Sequence, residues 1–70
     1  MMVYVLMQWA PGQFHIVNLY KTSEDAMAST GHNHSWWEPQ KNTHGHREWT
    51  CKLPSPICLT YVVQEWAVRS

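Results

Sequence analysis

The feature that most constrains this chain is a change of grammar between Phe14 and Gly31, where the period of a strand passes directly into the period of a helix. Phe14, Ile16 and Tyr20 alternate with His15, Val17 and Leu19, interrupted only by polar Asn18, which is the period-two pattern of a strand rich in β-branched and aromatic residues. That strand should end near Lys21. Thr22 stands three residues before Asp25, a spacing at which a hydroxyl caps the first free backbone N–H groups of a helix and the acid reaches back. Glu24 and Asp25 place negative charge in the first turn, where the helix dipole favours it. Gly31 takes positive φ at no steric penalty and is the natural stop after about two turns.

The remaining segments arrange themselves around this corner. Met2 to Gln8 is apolar on both faces, with Val3, Val5 and Met7 on one and Tyr4 and Leu6 on the other, as in a central strand. Pro11-Gly12 is a turn pair, so the first two strands should form a hairpin. Gly31 to Glu48 carries four of the five histidines, Trp36-Trp37, a proline and two glycines without helical or strand period, and reads as a long loop. Loops above about 12–15 residues are uncommon in compact domains unless they carry function. Trp49 to Leu53 reads as a short strand, Pro54-Ser55-Pro56 as a rigid break, and Ile57 to Val68 as the second strong strand. The expectation is a single α+β domain over residues 1–70. It has an antiparallel sheet of three or four strands with one short helix on one face, in the order ββα-loop-ββ, and its loop spans 31–48.

Seventy residues can bury only a small core, so extra support is expected from dimerisation, a metal, a disulfide or an aromatic interior. Five tryptophans, three tyrosines and one phenylalanine supply the last of these. Five acids balance five bases, which disfavours nucleic acid or an anionic membrane as the main target, although protonated histidines would make the middle of the chain basic. No stretch approaches the roughly 18 apolar residues of a membrane span, and the apolar start lacks the pattern of a signal peptide. The two cysteines then read as reduced, buried small hydrophobes, and the expected location is the cytoplasm. A homodimer joined through the sheet is also expected, because the first and last strands lack the lysine or proline of guarded edges. Two copies would meet by strand addition or by packing sheet faces. They would bury Trp66 and Val68 or Tyr4 and Leu6, whichever set the helix leaves uncovered.

Three stretches, Met2 to Leu6, Ile16 to Ala26 and Tyr61 to Val68, together resemble the small uncharacterised proteins of tailed bacteriophages. Those commonly read as a Tyr-Val strand, a second strand ending in an aromatic residue before Thr/Ser-x-Glu-x-Ala, a helix, and a closing strand. The resemblance implies a phage-encoded, non-catalytic binding protein that inhibits or hijacks a host protein, in the manner of anti-defence or host-takeover factors, in the host cytoplasm.

The loop is the expected seat of function. Adjacent tryptophans in a loop do not easily face one core, so one should be exposed or pack on a partner, and tryptophan is enriched among interface hot spots. His34, Trp36, Trp37, Glu38, Lys41, His44 and Arg47 form the expected contact surface, whose mixed aromatic and charged character suits a protein partner. A structural zinc site is an alternative, with His44, His46, Cys51 and Cys58 as its ligands, although the tight Cys-x-x-Cys knuckle is absent. No other cofactor is implied. A further alternative is an oligomeric sponge for a nucleotide signal, with aromatic rings stacking the base and Lys, Arg or His meeting the phosphates. Phosphate-loop, paired-carboxylate and Ser-His-Asp patterns are missing, so an enzyme is not expected.

Overall fold

A computed structural model describes residues 1–31, 36–41 and 45–68. They form β1 (Met2–Ala10), β2 (Gln13–Tyr20), α1 (Ser23–Ala28), β3 (Glu38–Lys41), β4 (Arg47–Leu53) and β5 (Leu59–Ala67). All strand pairs are antiparallel, and the spatial order is β2-β1-β5-β4-β3. The α+β class and the single short helix agree with the sequence pattern, but the described residues make five strands, not three or four. The extra one is β3, whose Glu-Pro-Gln-Lys is exposed throughout and joins the sheet by backbone pairing with β4. It divides the stretch expected as one long loop over 31–48, and β4 already begins at Arg47.

Local chemistry accounts for the turns and the helix. Gly12 closes the first hairpin at φ 75°, a region that glycine enters without strain. Thr22 is the N-cap of α1, its Oγ1 accepting from the Asp25 N–H at 3.1 Å. The stop comes earlier than Gly31: after the Ser29 N–H closes on Asp25 O the ladder tightens, and the Thr30 and Gly31 N–H groups donate three residues back, to Met27 O and Ala28 O. Between β4 and β5, the Ile57 and Cys58 N–H groups both donate to Pro54 O, the Ser55-Pro56 peptide is cis, and Cys58 sits at φ 51°. This turn delays β5 to Leu59, two residues after the position that its apolar pattern suggests.

Register assigns the side chains to two faces. Leu6 stands opposite Val63, which stands opposite Trp49, and these share a face with Tyr4, Tyr61 and Cys51. Ala26 and Met27 of α1 pack on that face, and Leu6, Ala26, Met27, Trp37, Cys51, Leu53 and Val63 form the buried core. Six helical residues span about 9 Å, against roughly 19 Å across five strands, so α1 covers only part of one face. Trp37, 6% exposed, extends the cover.

The strands that reach the edges are not the expected ones. The final strand β5 is the middle of the sheet and β1 lies beside it, which leaves β2 and β3 outermost. Both edges are blunted. β3 is short and carries Pro39 and Lys41. β2 has a bulge: Leu6 pairs with Asn18 and Met7 with Ile16, leaving Val17 as the extra residue. Two residues further, the Leu19 N–H is taken by the Asn18 side chain at 2.8 Å.

Candidate functional site

The two adjacent tryptophans divide between core and surface. Chain direction sets this, because the segment entering β3 must lay one indole inward beside Cys51 and Leu53 and turn its neighbour out. Trp37 is therefore a core residue and not part of a contact surface, and Trp36 stands 52% exposed. The buried Trp37 Nε1 finds no acceptor among the described residues. The exposed indole is thus carried on backbone pinned by a buried one.

From Trp36 the candidate surface follows the β3 edge. Glu38, Gln40 and Lys41 are exposed, and Glu38 shares the sheet face opposite the helix with Gln40. Lys41 stands directly opposite Arg47, a like-charge pair that is unfavourable between neighbouring strands. Arg47 lies over the Trp49 ring at 5.1 Å and has its Nη1 3.7 Å from Glu65 Oε2, a long contact between an exposed guanidinium and a mostly covered carboxylate. Pro39, Lys41, Arg47 and Trp49 line a depression of about 260 Å³ that also touches Gln40 and Glu48. Trp36 at the start of β3 and the two cations at its end are separated by roughly 15 Å of extended chain. Of the expected contact residues, His34 and His44 lie outside the described residues.

The expected zinc ligands among the described residues, His46, Cys51 and Cys58, are not brought together. Cys51 is fully buried in the core, where burial pushes its thiol up and away from the thiolate that zinc requires. Cys58 is exposed in the turn before β5, which corrects the expectation that both cysteines are buried, and both are free thiols. His46 stacks on Trp66 with centroids 4.5 Å apart. Among the described residues no group of three or more His, Cys, Asp or Glu could hold a metal ion, and His44 lies outside them.

The sequence implied a sheet face that the helix leaves uncovered, and the structure identifies it as the face of Trp66 and not that of Tyr4 and Leu6. Over β2, β1 and β5 it is mainly apolar: Trp9 pairs with Phe14, Met7 with Ile16 and Val62, Val5 with Leu19, and Val3 with Trp66, while Thr60 opposite Trp9 and Gln64 opposite Val5 are its polar positions on β5. Over β4 and β3 it turns polar, where Gln40 Nε2 donates to Glu48 Oε2 at 3.2 Å and to Thr50 Oγ1 at 3.3 Å. The signal was present in β1 and β2, both apolar on two sides in a chain with one short helix to cover them. No helix of the described residues is long and apolar enough to cross a membrane. No family model, curated protein or solved structure matches the chain.

Proposed function

We propose that this chain is a small non-catalytic binding protein, phage-encoded, that inhibits or hijacks a host protein through the β3 edge. The supporting observation is the exposed Trp36 beside the buried Trp37. An aromatic side chain held on fixed backbone loses little conformational freedom on binding, and such residues dominate interface energetics. At the other end of β3 the Lys41–Arg47 pair is the complement of an acidic group. An acidic side chain in the depression beside Trp49 would relieve their mutual repulsion. The partner is therefore a protein segment that offers a pocket for an indole and, roughly 15 Å away, a carboxylate.

Capture from a bacterial host lysate, quantified by mass spectrometry and then repeated with the purified partner, tests this reading. Wild type should retain one abundant protein, and Trp36→Ala should weaken its binding by at least tenfold while leaving the thermal melt unchanged. Equal retention by both forms would refute it. The depression between Lys41, Arg47 and Trp49 favours a second reading, a nucleotide sponge that stacks a base on Trp49 and meets phosphate with the cations. That reading requires a thermal shift with nucleotides, abolished by Arg47→Ala.

A further inference from the structure

The geometry points to a second copy of this chain as the occupant of the open apolar face over β2, β1 and β5, the two copies packing face to face as a β-sandwich. This inference is independent of the β3 contact, which lies at the opposite edge of the sheet.

The first argument is area. Trp9, Phe14, Ile16, Leu19 and Trp66 are each 42 to 63% exposed on that face, around a Met7 that is already 8% exposed. With their apolar neighbours they offer roughly 600–800 Å² per copy, about what one partner contributes to a stable interface and more than an isolated patch on a monomer.

The second argument is charge. β1 and β2 contain no Asp, Glu, Lys or Arg, and the whole chain has formal net charge zero, so two copies meet without repulsion. A partner with an anionic surface finds nothing to grip there. The polar strip of Gln40, Glu48 and Thr50 bounds the patch on one side and fixes where the overlap stops.

The third argument separates face packing from strand addition. β2 is the apolar edge, yet its bulge at Val17 and the Asn18 side chain on the Leu19 N–H spoil a straight ladder for an incoming strand. Facing sheets need no free ladder. They interdigitate side chains across about 10 Å, and the Trp9–Phe14 pair, with centroids 4.4 Å apart, is a ready-made ridge for such packing.

Sedimentation equilibrium with hydrogen exchange on the purified chain tests this. The expected mass is twice 8.2 kDa at micromolar concentration. Trp66→Glu, on the central strand opposite Val3, should raise the dissociation constant at least tenfold, and Ile16→Lys should do likewise, with circular dichroism unchanged. The outward N–H groups of β2 should exchange as fast in the dimer as in dilute monomer. A mass of 8.2 kDa, with or without binding to neutral lipid vesicles, would overturn the inference, as would a dimer that survives both substitutions. Protection of the β2 edge on association would assign strand addition instead and overturn face packing. If a variant unfolds, dilution of wild type decides: the tryptophan emission should shift to the red as the dimer dissociates, and constant emission at constant mass refutes the interface.

Discussion

The Tyr4 hydroxyl donates to Glu65 Oε2 at 2.9 Å, across a β1–β5 pair in which the two residues stand directly opposite. This hydrogen bond, with burial second, raises the Tyr4 phenol above the ordinary tyrosine value. A group raised on folding contributes stability that is complete below its unfolded value, about pH 10, and is lost as pH climbs through the folded value. Phenolate absorbance of wild type minus Tyr4→Phe isolates this titration. Its midpoint should lie above that of free tyrosine, and Glu65→Gln should lower it. An unmoved midpoint in Glu65→Gln would assign the shift to burial alone.

Trp37 and its neighbour should separate cleanly in urea denaturation. Trp37→Ala empties a core position and should cost about 3–5 kcal/mol. Trp37→Phe gives up volume but also removes a buried N–H without an acceptor, itself a penalty of about 1–3 kcal/mol, so the net loss should stay below about 1.5 kcal/mol. Trp36→Ala should change stability by less than about 0.5 kcal/mol. Comparable losses for Trp36→Ala and Trp37→Ala would show that both indoles are structural.

Thr22→Ala should destabilise the chain by about 1 kcal/mol, because the Asp25 N–H loses its acceptor, and Thr22→Ser should restore most of it. The effect reaches the core, since the capped turn carries Ala26 and Met27 onto the sheet. A midpoint insensitive to Thr22→Ala would mean that water replaces the cap at no cost.

The two thiols should differ in kinetics with a thiol-reactive dye. Cys58, exposed in its turn, should react at once. Cys51 is fully buried with its thiol pushed up, so it should react only as fast as the chain unfolds and should speed up with urea. Prompt labelling of both would place Cys51 outside the core.

What was legible in the sequence was local. The Pro11-Gly12 turn, the Thr22 cap and the apolar runs of β1, β2 and β5 are each specified within a few residues, and each stands where its pattern put it, to within two residues. β3 was hidden because its four side chains all face solvent and its membership rests on backbone pairing with β4. The seat of β5 between β1 and β4 was hidden because pairing partners 51 to 65 residues apart leave no periodic trace. The candidate site was half legible: an exposed tryptophan was expected of the Trp36-Trp37 pair, but which indole faces inward depends on where β3 begins.

The place of β5 also dictates the order in which the molecule can form. The β1–β2 and β3–β4 hairpins pair with β5 and not with each other, so until β5 docks the chain consists of two separate ribbons. Two-stranded ribbons are marginal in water; each closes within about 1–10 μs and reopens. β5 follows β4 through a short turn, so Val63 reaches Trp49 locally, and the distant step is the one that brings Val63 to Leu6. Its rate is governed by closing contacts distant in sequence, which puts this small sheet among the slower folders of its size. Until that moment both ribbons expose their apolar sides, and β5 alone decides whether they meet each other or a neighbouring chain.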